Sequence, residues 1–128
     1  MTQTTITAFL LALAVVFGAF GAHGLRDMLD PYSMTVYEKG VYYHFFHALG
    51  MLAIPLLAKA GLVTESAATW AHRLLAIGIV FFSGSLYVLA ISGETMLGAV
   101  APIGGSAFIA GWLALVWGSM QSRPPSGS

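Results

Sequence analysis

The sequence predicts an all-α integral membrane protein, a four-helix antiparallel bundle with a short interfacial helix after the first span. Three observations lead there. Hydrophobic residues make up 58% of the 128-residue chain and charged residues 8%, whereas an ordinary soluble domain has roughly half and a quarter. The apolar residues gather in four runs, Ile6–Ala22, Val41–Ala58, Leu74–Ile91 and Leu97–Met120, and none of these holds Asp, Glu, Lys or Arg. Each is about as long as the roughly 17–25 residues that carry a helix across the hydrocarbon core, where an unpaired charge costs several kcal/mol. The connections between the runs are short, so neighbouring helices run up and down. The chain reads as one domain over residues 1–122, with helices at about 5–24, 41–58, 72–91 and 98–120. Residues 123–128 form a Pro/Ser/Gly tail of the kind left by expression linkers and are set aside.

The first run reads as a retained span rather than a signal peptide. Met1 to Thr7 holds no Lys or Arg, and the apolar stretch exceeds the roughly 7–15 residues of a signal core. Its end, GAFGAHGLRD, sets His23 among glycines and alanines. Gly18, Gly21 and Ala22 continue a small-residue stripe from Ala14. Membrane helices associate through close backbone contact, which such stripes permit.

The first loop, LRDMLDPYSMTVYEKG, holds half of the charged residues. Asp30 followed by Pro31 is a helix start, an acidic N-cap and then a residue whose fixed φ suits the first helical position. A helix from Pro31 is expected to lie along the membrane surface past Tyr37 and to bend at Gly40 into the second span. That span contains VYYHFFHALGM, in which Gly40, His44, His47, Met51 and Ile54 fall on one seam. Glu65 to Thr69 reads as a short entry to the third helix, whose small positions are Gly78, Gly84 and Ser85. In the tight turn SGETMLG, Glu94 is expected to cap the fourth helix or to meet His23. Gly104, Ala107 and Gly111 supply small residues on the fourth helix. They are expected to pack the bundle internally, with contact to another protomer or another protein as the sharper alternative. Pro55 and Pro102 read as features of helix ends rather than as breaks lining a site.

If the second-span seam faces inward, His44 and His47 lie within about two turns of the first-loop surface, at roughly 1.5 Å per residue. His23 ends the first helix on that same surface. The expected result is one polar layer of His23, His44 and His47, with Glu38, Tyr43 and Glu94 near it. One reading is an interhelical clasp of neutral rings, worth about 1 kcal/mol per hydrogen bond in a membrane. The others are a binding site for a metal, haem or quinone, with all three histidines as candidate ligands, and a proton relay. No particular cofactor is implied. His72, beside Arg73, reads as interfacial.

Several function classes lack a footprint. The formal net charge is zero, with no basic cluster to attract nucleic acid. There is no cysteine, so thiolate sites and disulfides are excluded, and no asparagine to accept a glycan. No Ser-His-Asp order, paired-carboxylate arrangement or phosphate loop occurs in a credible context, so a membrane enzyme is not expected. Ser83, Ser85 and Tyr87 are too few to draw a polar path for a small solute or lipid through a monomer, although an oligomer would enclose more space.

Lys59, Arg73 and Arg123 lie on the side of the termini, against Arg26 and Lys39 on the other. That excess leans toward both termini in the cytoplasm. Trp70 and Trp117 on one side, and Tyr32, Tyr37, Tyr42 and Tyr43 on the other, read as interfacial belts.

Taken in order, GAFGAHGL, YHFFHALGM, FFSGSLYVLAISG and APIGGSAFIAGWLAL resemble the small membrane protein family catalogued as domain of unknown function 423, which includes the vertebrate transmembrane protein 256. The resemblance covers nearly the whole chain and implies a four-span protein of the bacterial cytoplasmic membrane with no assigned reaction. Family members often carry glutamine in the YxxHA stretch where this chain reads Tyr43-His44, so His23 and His47 match the motifs better than His44. The resulting expectation is a structural or accessory subunit in the lipid bilayer, beside a second copy or another membrane protein.

Overall fold

The computed structural model describes residues 2–122; the tail at 123–128 lies outside them. The described residues form four long helices without a strand: α1 (Gln3–Leu25), α2 (Pro31–Lys59), α3 (Glu65–Ser92) and α4 (Leu97–Gln121), each long and apolar enough to cross a membrane. Their starts follow local chemistry. Thr2 Oγ1 accepts from the Thr5 amide at 3.0 Å, and Asp30 Oδ1 accepts from the Ser33 amide at 2.7 Å with Pro31 in the first helical position. Thr64 caps α3 on the Ala67 amide. These side chains satisfy amides that have no partner within the helix. Two glycines close helices with positive φ, Gly61 at 76° and Gly93 at 75°, where a Cβ would be strained. At Gly61 the Leu62 amide reaches back to the Leu57 carbonyl at 3.0 Å, the bond that seals a left-handed helix end.

The short interfacial helix expected after the first span is not a separate element. The helix that starts at Pro31 runs unbroken through Gly40 to Met51 and becomes the second span itself. Gly40 is not a hinge: a Cβ there would meet the Tyr87 ring at 2.9 Å and Leu86 Cβ at 3.3 Å, so its role is close approach of α2 to α3. The discontinuity falls at Leu52 instead. Pro55 explains it, since its ring has no N–H and crowds the carbonyl four residues back, at Met51. Pro102 likewise stands inside α4 rather than at its entry, because the helix already begins at Leu97.

Helix α1 packs on α2, α2 on α3, and α3 along the length of α4. The α3–α4 seam is built from glycines. Gly104, Gly111 and Gly118 recur every seven residues and are buried with Ala101 and Phe108, a spacing that keeps one stripe facing a partner helix. A Cβ on Gly104 would strike the Phe82 backbone, one on Gly111 would meet Leu75 Cδ2 at 2.9 Å, and one on Gly118 would strike Ala67 and Val63. The glycine face of the fourth helix is therefore used inside the chain. Gly84 differs, since a Cβ added there would have nothing within 4 Å.

Helix α3 contains a π-helical turn at Ile79–Ser83, opposite Gly104, and α1 ends in another at Gly21–Leu25. In the first, the Gly84 amide bonds the Ile79 carbonyl five residues back. Ser83 is buried there, and its hydroxyl has no hydrogen-bond partner.

Candidate functional site

The chain carries its chemistry in buried polar side chains within otherwise apolar helices. His44 is 2% exposed and sits between three helices. Its Nε2 is 2.8 Å from the Leu10 carbonyl oxygen of α1, and its Nδ1 is 2.8 Å from the Tyr87 hydroxyl of α3. A carbonyl only accepts, so Nε2 carries the proton and donates. In the neutral ring Nδ1 is then an acceptor, and the Tyr87 O–H donates to it. Both nitrogens are occupied. The Tyr87 ring stacks on Phe17 with centroids 4.5 Å apart and leans on Tyr37 at 5.2 Å.

Tyr37 makes a second clasp. It is 1% exposed, its hydroxyl donates to the Phe17 carbonyl, and its ring covers Gly21, where a Cβ would collide with it. Its expected place in an interfacial belt is therefore corrected. Tyr32 remains exposed on the same helix. The alternation arises because Tyr37 shares a face with Gly40 and His44, three and seven residues on, whereas Tyr32 does not.

His72 makes a third clasp at the other end of the bundle. The expectation of an interfacial ring is overturned, since His72 is 4% exposed. Its Nε2 lies 3.2 Å from the Gln3 carbonyl and 2.9 Å from Thr7 Oγ1, and Thr7 is fully buried. The neighbouring Arg73 is exposed, 5.5 Å from the Trp70 ring centre. Adjacent residues on a helix point about 100° apart, which separates a buried ring from an interfacial cation.

The expected polar layer does not assemble. His23 is exposed in the π turn that ends α1. No group of three His, Cys, Asp or Glu side chains able to hold a metal occurs among the described residues. Glu38 is exposed and lines an open groove between α1 and α2 with Gly18, Gly21, Ala22 and Tyr37. Glu94 is also exposed and does not cap α4, whose start carries no side-chain cap. Ala107 is half-buried, and Gly18 faces Val41 at ordinary contact distance.

His47 has a different setting from His44. It is half-buried, and its Nδ1 bonds the Tyr43 carbonyl of its own helix at 2.8 Å. Its ring lies flat on Phe108 of α4, with centroids 3.6 Å apart and planes 14° apart. Together with Tyr43, Phe82 and Trp112 it lines a groove of about 450 Å³ between α2 and α4.

Sequence reasoning missed Thr7, Tyr37, Tyr87 and the Leu10 carbonyl as parts of these clasps. A signal was present for the side chains: Thr7 is the polar residue of an apolar run, and Tyr37 and His44 lie seven apart on α2. A backbone carbonyl as acceptor leaves no trace in residue type.

Comparison with known proteins matches residues 17–105 to a family described as a protein of unknown function, DUF423. The chain is similar to a UPF0382 membrane protein of Staphylococcus epidermidis, 49% identical over 109 residues, covering 85% of this chain and 87% of that one. It is 44% identical over 106 residues to the UPF0382 membrane protein YwdK of Bacillus subtilis, covering 81% and 84%. A Haemophilus influenzae UPF0382 membrane protein is 36% identical over 121 residues, covering 93% and 94%. No solved structure matches.

Proposed function

The chain belongs to the DUF423 family of membrane proteins, and from that premise we propose that it is a structural or accessory subunit of a membrane assembly, without catalytic activity of its own. The observation that carries this reading is where the polar groups are used. His44, Tyr87, Tyr37, His72 and Thr7 bond to one another and to backbone carbonyls, and thereby join α1 to α2 and α3. What the bundle offers outward is helix surface, with short connections at 26–30, 60–64 and 93–96. Large apolar side chains such as Phe9, Val16, Ile109, Leu113 and Trp117 stand exposed along α1 and α4. Such a surface suits lipid and the helices of a neighbouring subunit.

The bacterial relatives and the helical spans support the cytoplasmic, inner membrane as its location, since outer-membrane spans are barrels. Both termini face the cytoplasm in this reading. It is supported by Lys59, Arg73 and Arg123 on one side against Arg26 and Lys39 on the other. Native mass spectrometry of the protein extracted from its own membrane in mild detergent tests the proposal. A stoichiometric complex with further copies or another membrane protein supports it; a lone monomer with nothing captured by prior crosslinking rejects it.

A further inference from the structure

His47 has an unused acceptor deep in the membrane. Its Nδ1 faces the Tyr43 carbonyl, which can only accept, so Nδ1 carries the proton and Nε2 is left with a bare lone pair. Among the described residues Nε2 has no hydrogen-bond partner, in contrast to both nitrogens of His44. Along α2, His47 stands about 12 Å from Lys39 and about 18 Å from Lys59 at 1.5 Å per residue. That places it near the middle of a hydrocarbon core about 30 Å thick, where water is scarce and an unmet polar atom is costly.

The surroundings define what would meet it. The groove beside His47 is walled by the flat rings of Tyr43, Phe82, Phe108 and Trp112, and Gly105 and Ser106 form part of its α4 side. Its volume of about 450 Å³ falls within the range of small-molecule sites, roughly 300–1,000 Å³. Tyr43 and Trp112 also line it, and each carries a side-chain donor, the phenolic hydroxyl and the indole Nε1. An acyl chain would fill the space but satisfy none of these atoms. A single histidine is too few ligands to hold a metal ion.

We infer that the groove between α2 and α4 binds a lipid-soluble ring bearing a hydroxyl group, which donates to His47 Nε2 while the ring lies against the aromatic walls. A second oxygen on the ring would accept from Tyr43 or Trp112. Quinols and sterol-like lipids share this chemistry. A bound ring is compatible with a lone chain or a complex, so the site stands or falls independently of the accessory-subunit reading.

The test uses the full chain in phosphatidylcholine nanodiscs, with decylubiquinol, its dimethyl ether and cholesterol as probes. Retained probe per chain is measured after gel filtration against empty nanodiscs. Saturable binding of one decylubiquinol per chain is expected, weakened about tenfold by His47→Phe, which keeps a flat ring on Phe108 but removes the acceptor. The dimethyl ether, which has no donor, should show a similar loss. Gly105→Leu provides a second variant: a Cβ there meets only Phe82 Cδ2 at 3.8 Å, so the helix accepts it while the side chain fills the groove and displaces the probe. It carries the test if His47→Phe fails to fold. His47-dependent binding of cholesterol alone supports the site and assigns it to sterol-like lipids. Retention equal to that of empty nanodiscs for all probes, or binding unchanged by both substitutions, overturns the inference, as does an ether that binds as tightly as the quinol.

Discussion

His44 and Tyr87 are joined across α2 and α3 by a 2.8 Å hydrogen bond whose direction is set from the far side of the imidazole. The Leu10 carbonyl, 2.8 Å from Nε2, accepts that nitrogen's N–H, so Nδ1 is bare and the tyrosine donates to it. One side chain thus ties three helices with two bonds, at a place where hydrocarbon offers no competing partner.

Tyr87→Phe should destabilise the bundle by about 1–2 kcal/mol, because it removes one interhelical bond and leaves His44 Nδ1 buried without a donor. His44→Phe should cost more, since it also removes the bond to α1. In a double-mutant cycle the pair should couple by about 0.6–1.7 kcal/mol, between the mean and the largest value for membrane hydrogen bonds. Unfolding in mixed detergent micelles, followed by tryptophan fluorescence, checks both values.

Gly104 and Gly84 should respond in opposite ways to the same change. Gly104→Ala places a Cβ against the Phe82 backbone, which cannot give way as a flexible side chain can, and should separate α3 from α4 at a cost of about 1–3 kcal/mol or more. Gly84→Ala meets open space and should be neutral or stabilising by up to about 1 kcal/mol through helix propensity. Melting of the two variants in one detergent decides the point.

Ser83→Ala should be neutral or slightly stabilising, despite burial of the serine. Its hydroxyl has no partner to lose, and removing an unsatisfied polar group relieves a penalty of about 1–3 kcal/mol, offset in part by the small void left behind. A loss of stability above about 1 kcal/mol on the same assay would mean that the hydroxyl is bonded in the membrane.

His72→Ala should destabilise by about 1–2 kcal/mol and loosen the start of α1, because Gln3 and Thr7 lose their contact on α3. Amide hydrogen exchange over residues 3–10 would report that loosening. Protection equal to that of the unaltered chain would return His72 to an interfacial role.

The spans were legible because their signal is additive: four uncharged apolar runs are hard to place anywhere but a bilayer. Helix starts at Asp30–Pro31 were legible because capping chemistry is local. The site was less so, for a physical reason. His23, His44 and His47 are alike in type, and spacing brings them to one side of the membrane, but rotation of α1 leaves His23 exposed. The ring that joins α1 to α2 and α3 is His44, which matches the family motifs less well than the other two. His72 shows the same limit: its neighbour Arg73 suggested an interface, while the 100° step along a helix turned the ring inward.

His44, the most buried of the histidines, is a neutral clasp, and its tautomer can be read by spectroscopy. Nitrogen-15 NMR of histidine-labelled protein in bicelles, assigned with His44→Phe, distinguishes a protonated ring nitrogen from a bare one. The expected spectrum is that of a neutral ring with the proton on Nε2 and Nδ1 accepting from Tyr87, with a change at Nδ1 in Tyr87→Phe. A proton on Nδ1 or an imidazolium would mean that His44 is not this clasp, and a metal-shifted nitrogen would make it a ligand.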